Sequence, residues 1–273
     1  MMLTKSDYLN EGLVHLVYKK GNSVFKVPKD NFVTFNSKEH FEIEKTSLGI
    51  LRNHGFPAVR VRKIYEKGEL VPSKYVLEED YLSGIVKDNK DISLTERRSI
   101  VDIMLGINQI KIPRFGSITK EGVGINASWR EFLENIICDN TEILVSYLSD
   151  KKMRDILNTL HDFLNDVPQL IQGYFLLLDT NSNNFIFNEQ GDIIGLIDVD
   201  HPASGDRLYD YAALEWFHPI SFSVLEELIK FKDYERELMY YYSLLFGIST
   251  LKFEIVNNLD TKETMMKLYA KSI

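Results

Sequence analysis

"FLLLDTNSNNFIFNEQGDIIGLIDVDHPASGDRLYDY", residues 175–211, sets two short apolar runs among a concentration of Asn and Asp. Tyr174 to Leu178 is an apolar run that stops at Asp179, and five residues later Asn184 opens the strand-like Phe185-Ile186-Phe187. The turn-forming "NEQGD" follows, then "IIGLID", which ends on Asp198 with Asp200 just beyond. If these two strands pair as an antiparallel hairpin, the start of the first meets the end of the second, and Asn184 and Asp198 become neighbours. Asp179 lies on the segment leading into that same open end. Two carboxylates and a carboxamide oxygen are hard donors of the kind magnesium takes, with the rest of its shell left to water and substrate phosphates. A carboxylate outside the metal shell can receive the proton of a hydroxyl nucleophile. Taken singly, "NSNN" and "NEQGD" read as solvated turns. Their combined order is what carries the chemistry.

Upstream, the pattern is β-rich. "LVHLVYKKGNSVFKVPKD" reads as strands Leu13 to Lys19 and Ser23 to Pro28 joined by a tight turn at Gly21-Asn22. A helix follows, with Asn36 or Ser37 to cap its start and Gly55 with Pro57 to end it. "AVRVRKIYE" and "SKYVLEEDYL" alternate again as strands, giving β-β-α-β-β. From Ser93 the pattern turns helical, with Ser93 and Glu96 spaced as a capping box ahead of the stripe Ile100, Ile103, Met104, Ile107 and Ile110. Ser128 and Glu131 repeat that spacing before Trp129, Phe132, Leu133, Ile136 and Ile137, and a further helix covers Met153 to Leu164. After the quoted segment, helices resume at about Arg207. The expected organisation is α+β: a small β-rich N-terminal lobe, residues 1–80, and a larger, mainly helical C-terminal lobe, residues 81–273.

A chain of 273 residues, 44% hydrophobic, can bury a sizeable core. Its formal charge of -8 argues against a nucleic-acid or anionic-membrane binder, which needs a basic face, and suits cationic partners better. The single cysteine, Cys138, excludes an internal disulfide. No apolar run approaches the roughly 20 residues of a bilayer-spanning helix, so a cytoplasmic protein without a membrane partner is expected. None of the six histidines forms a pair with metal-ligand spacing. His201 follows Asp200 and could approach the site, whereas His15, His40, His54, His161 and His218 read as structural or surface residues.

The segment "DTNSNN … IDVDHPASGDRLYDYA" resembles the aminoglycoside phosphotransferase and choline kinase superfamily, relatives of the protein kinases, and is similar to its hygromycin-type members. The family's catalytic Asp with an Asn five residues on matches Asp179 and Asn184, its Ile-Asp metal segment matches Ile197-Asp198, and its Gly-Asp-x-x-Tyr-Asp run matches Gly205, Asp206, Tyr209 and Asp210. The resemblance spans Lys26 to about Tyr211 and implies a bilobal protein-kinase-like fold. It implies Asp179 as catalytic base, Asn184 and Asp198 as magnesium ligands, and Asp206 and Asp210 as structural anchors, with Asp200 either assisting the metal or sitting beside it. The activity implied is transfer of the γ-phosphate of ATP or GTP to a hydroxyl of an aminoglycoside or other amino-bearing compound. The sequence departs from the family where Leu177-Leu178 replaces the usual His-Gly before the Asp, and where Asn181 and Ser182 replace the usual His and Pro after it.

A kinase-like lobe also needs a strand Lys on the α and β phosphates and a helix Glu to hold it. Lys26, between Phe25 and Val27, is the candidate, with Lys29 as competitor at the strand's end. Glu44 shares a helical face with Phe41, Leu48 and Leu51, and a carboxylate on an apolar stripe needs a cation. "YVLEEDYLSG" resembles the lobe connector, where main-chain groups of Leu77, Glu78, Glu79 and Asp80 would meet the purine edge. No full glycine-rich loop precedes Lys26, and "RFGSITKEGVGINASWREFL" lacks the ending of a P-loop, so its glycines are expected in a surface loop. Glu215 is a candidate acidic wall for a cationic acceptor, or else a solvated helix position. A nucleotide-binding regulator without turnover is the alternative; a metal-dependent hydrolase would leave Lys26 and Glu44 without roles.

Overall fold

A computed structural model of the chain describes residues 3–30, 35–147 and 151–272. The elements of its N-terminal part are β1 (Tyr8–Glu11), β2 (His15–Lys20), β3 (Ser23–Pro28), α1 (Lys38–Asn53), β4 (Val61–Tyr65), β5 (Val76–Asp80) and α2 (Leu94–Ile107). Short strands β6 (Lys111–Ile112), β7 (Phe115–Ile118) and β8 (Gly124–Asn126) precede α3 (Trp129–Tyr147) and α4 (Lys151–Phe163). Then come β9 (Gly173–Leu176), β10 (Phe185–Phe187), β11 (Ile193–Leu196) and β12 (Ala203–Gly205). Four helices close the described chain: α5 (Arg207–Phe217), α6 (Pro219–Leu228), α7 (Asp233–Val256) and α8 (Lys262–Lys271). This is the α+β order read from the sequence. The chain forms two compact units, one of Met1–Ile103, Ile118–Gly122 and Asn181–Pro202, the other of Met104–Ser117, Val123–Thr180 and Ala203–Ile273.

In the first unit, Gly21 takes φ 60° and lets β2 turn directly into β3, with Lys20 opposite Ser23. The sheet is antiparallel in the order β1-β2-β3-β5-β4. Strand β1 was not anticipated; all four of its residues are exposed, so it lacks the alternation that marks a half-buried strand. Its presence makes the strand bearing Lys26 the third. Phe25 and Val27 pack with Leu70 and Val76 on one face, which sends the intervening Lys26 to the other. Helix α1 starts where Ser37 Oγ accepts a hydrogen bond from His40 N at 3.1 Å, and it buries Phe41, Glu44, Leu48 and Leu51 along one stripe.

The β10-β11 ribbon belongs to the same unit. Its strands pair antiparallel, with Phe185 opposite Leu196. One edge is stitched by Val59 N to Leu196 O (3.0 Å) and Leu196 N to Pro57 O (2.7 Å), the other by the reciprocal Ile85 and Phe187 bonds (2.8 and 2.9 Å). An isolated two-stranded ribbon is marginal in water, and these bonds supply what it lacks.

The second unit packs its helices around aromatic side chains, with Trp129, Tyr209 and Tyr242 buried and their rings meeting edge to face at 5.3 to 6.0 Å. The polar ends are satisfied in series: Trp129 Nε1 donates to Tyr242 Oη at 2.9 Å, which donates to Asp206 Oδ2 at 3.0 Å. Asp206 Oδ1 caps α5 through Leu208 N at 3.0 Å. The stretch around Gly116 and Gly124, expected as a surface loop, instead forms β7 and β8 of a second sheet ordered β6-β9-β12-β7-β8. Its strands have two to four residues, too few to show a period in the sequence. A Cβ at Gly205 would run into the six-membered ring of Trp129. Gly205→Ala is therefore expected to destabilise the protein by about 1–3 kcal/mol through overpacking, read as a lower urea midpoint at unchanged slope.

Candidate functional site

Lys26 enters the protein interior with 5% of its surface exposed, and three carboxyl groups meet it there. Its Nζ donates to Glu44 Oε1, lies 2.9 Å from Asp198 Oδ1 and 3.8 Å from Glu79 Oε2. Glu44 is fully buried on α1, so the cation demanded by its place on an apolar stripe is the strand lysine. Lys29 pairs with Glu11 instead, at 3.4 Å. Burial opposes the charge on Lys26, yet Asp198, Glu44 and Glu79 together hold its pKa well above the ordinary lysine value. Burial also pushes Glu44 and Glu79 up while Lys26 draws both back. Asp198 goes the other way: Lys26 outweighs burial and holds it below the usual carboxylate range.

Glu79 is a member of this cluster that sequence reading missed in side-chain terms. The available signal was its spacing of two from the buried Leu77 on β5, which puts both on one face. The main chain of Leu77 to Glu79 is engaged on both sides, opposite β3 (Lys26 with Leu77, Val24 with Glu79) and opposite β4 (Ile64 with Leu77, Val61 with Glu79). Glu78 accepts from Ser23 Oγ at 2.6 Å and Tyr65 Oη at 2.7 Å, and Asp80 accepts from Arg62 Nε. After the strand, Asp80 N donates to Arg60 O at 2.9 Å and Tyr81 N to Asn22 O at 3.0 Å.

At the open end of the β10-β11 ribbon, Ile197 N donates to Asn184 O at 3.0 Å, so the main chain of Asn184 is paired with the residue before Asp198. Asp198 adopts φ 62°, a left-handed conformation that Asp tolerates better than most residues. Asn184 is buried, and its Nδ2 has no hydrogen-bond partner. A carboxamide turned by half a rotation presents oxygen at that position, so the orphaned site suits a cation. Asn181 and Ser182 are oriented through Asn89: Asn89 Nδ2 donates to Asn181 Oδ1 at 2.9 Å, and Ser182 N donates to Asn89 Oδ1 at 3.1 Å. Ser182 Oγ adds a bond to Lys87 O at 2.7 Å. Asp200 Oδ2 lies 3.5 Å from His40 Nε2 and 3.9 Å from His201 Nε2.

In the second unit, Asp179 is exposed and follows Leu178, which holds φ 62°. Asp210 fixes this turn: its carboxylate accepts from Leu178 N (2.7 Å), Leu177 N (3.1 Å) and Asn108 Nδ2 (2.8 Å). Asn108 also donates to Phe175 O at 2.9 Å. Burial raises the Asp210 pKa and these donors oppose the rise. Glu215 departs from the acidic-wall expectation, since it pairs with Lys271 at 2.8 Å and accepts from Ser243 Oγ at 3.0 Å, tying α5 to α8 and α7.

No protein-family model matches the chain, and no curated protein matches it by sequence. Solved structures do match over 97% of its length. An apo thermostable mutant of aminoglycoside phosphotransferase APH(4)-Ia superposes with TM-score 0.75 at 18% identity, over 91% of that chain. A ternary complex of the same enzyme with AMP-PNP and hygromycin B gives 0.70 at 18%, over 90% of that chain. The GDP and kanamycin complex of APH(2")-IIia gives 0.68 at 14%, over 91% of that chain. The chain has the aminoglycoside phosphotransferase fold.

Within that fold, Leu178 occupies the place where the resemblance expects glycine, and it takes the left-handed conformation that glycine adopts without penalty. An L-residue there costs about 1–2 kcal/mol. Leu178→Gly is thus expected to be no less stable than the parent in thermal melts, even though it removes a half-buried side chain; a clear fall in midpoint would contradict the strain. A second expectation concerns Glu79. Because its folded pKa is raised, its contribution to stability is full below the unfolded value of about 4.3 and declines as pH rises through the folded value. Glu79→Gln removes that decline, so its stability relative to the parent should grow as pH rises above the unfolded carboxyl value in urea titrations.

Proposed function

We propose that this protein is a magnesium-dependent phosphotransferase that moves the γ-phosphate of ATP or GTP to a hydroxyl of a small amino-bearing acceptor, with aminoglycosides as the leading class. The observation that carries the reading is the buried Lys26–Glu44 pair with Asp198 on the same ammonium group, in a fold shared with aminoglycoside phosphotransferases. A structural ion pair does not require a second, partly exposed carboxylate, whereas nucleotide phosphates and their metal do. The complexes of AMP-PNP with hygromycin B and of GDP with kanamycin, seen in the two fold neighbours, support a purine nucleotide donor and a cationic acceptor. The net charge of -8 favours such an acceptor electrostatically.

In this mechanism Lys26, positioned by Glu44, presents its ammonium group to the α and β phosphates. Lys26 and Asp198 hold each other at 2.9 Å; with nucleotide bound, phosphate oxygens would compete for the lysine and Asp198 would be a ligand for the metal. One carboxylate and one carboxamide oxygen suit magnesium, and Asn184 and Asp198 would hold it; when bound it would neutralise charge on the phosphates. Asp179 takes the proton of the acceptor hydroxyl as its oxygen attacks the γ-phosphorus in line, and the nucleoside diphosphate leaves without a covalent enzyme intermediate. Asp210 and Asn108 act on Asp179 only by holding the turn before it.

The test is nucleotide binding with and without magnesium, followed by nucleoside diphosphate release across a panel of aminoglycosides, choline-like amines and sugars. Acceptor-dependent release is expected, and Asp179→Asn should lower it about 10²–10⁴-fold while nucleotide affinity persists. Tight nucleotide binding with no turnover on any acceptor would instead identify a regulatory protein of the same fold.

A further inference from the structure

Two histidines far apart in the sequence, His40 on the first turn of α1 and His201 beyond β11, converge on Asp200. One nitrogen from each ring and one oxygen from the carboxylate all lie within 4.8 Å of one another. The Asp200 Oδ2 distances are 3.5 Å to His40 Nε2 and 3.9 Å to His201 Nε2. Ligands of a tetrahedral zinc ion at about 2.0–2.1 Å stand roughly 3.3 Å apart, so side-chain shifts of about an ångström close the set.

We propose that His40, Asp200 and His201 form a site for a divalent transition metal of the zinc class, set apart by its nitrogen donors from the oxygen donors Asn184 and Asp198. His40 is 7% exposed, and its Nε2 is buried without a hydrogen-bond partner although it points at this group. An orphaned buried imidazole nitrogen calls for an ion or water to satisfy it. Its ring is held in place by His15 (5.8 Å, stacked), Phe35 (5.1 Å, edge-on) and Phe41 (5.5 Å). Phe35 also meets the His201 ring at 5.4 Å, which steadies a side chain that is otherwise largely exposed. Apolar walls of this kind restrict ligand rotation and solvent around a metal. Imidazole nitrogens favour zinc, cobalt or nickel, whereas magnesium keeps to oxygen. The exposed side of His201 leaves an entry path and an open coordination position. Bound metal would tie the first turn of α1 to the segment after β11, one helical turn from Glu44.

The site stands independently of phosphate transfer, so its test does not use turnover. Chelator-treated protein is titrated with Zn²⁺ against a chromophoric competitor, and with Co²⁺ while visible d–d bands are recorded, in millimolar Mg²⁺. One equivalent per chain with tetrahedral-type cobalt bands is expected. His201→Ala, at an exposed position, and Asp200→Asn should each weaken zinc by at least about tenfold, while the surface variant His161→Ala should not. Absence of stoichiometric binding, or equal affinity in all three variants, would overturn the proposal.

Discussion

A single ammonium group, buried at Lys26, is the charge on which three carboxyl groups of the first unit depend. Taking Lys26, Glu44 and Glu79 out of water is costly, and apolar residues of the same shape would hold a fold together at least as well. Burial raises the pKa of both Glu44 and Glu79, and the Lys26 charge opposes the rise at each. An arrangement that does so little for stability is better understood as prepared for a ligand that brings its own charges. Helix α1, the third strand and the β10-β11 ribbon are each placed so that one side chain reaches this point.

The second unit contributes rigidity of another kind. Asp210 spends buried hydrogen bonds on the two backbone N–H groups just ahead of Asp179 while Asn108 donates to its carboxylate, and Leu178 accepts an unfavourable φ to make that turn. Asp198 carries a similar left-handed backbone in the first unit. Strained residues persist where the surroundings over-determine them, and here both adjoin side chains assigned chemical roles.

Much of this was legible in the sequence because the signals were local or forced. The Gly21 turn fixed the β2-β3 pairing, the Asn184 to Asp198 spacing fixed the ribbon end, and Glu44 on an apolar stripe required a cation. What was not legible lacked a local period or depended on tertiary contact. Strand β1 buries no face; β6, β7 and β8 are too short to alternate; Glu79 looked like part of an acidic connector until β3 and β4 occupied its backbone. His40 and His201 show no metal spacing because the fold, and not the chain, brings them together. Glu215 resembled a free acidic face until Lys271, near the end of the last helix, reached it.

The ribbon stitched along both edges has one more implication. Bonded to residues 57–59 on one side and to Ile85 on the other, it works like a splint that holds both strands in register. Natural variation should accordingly be resisted along the two bonded edges, where each strand has a partner to lose.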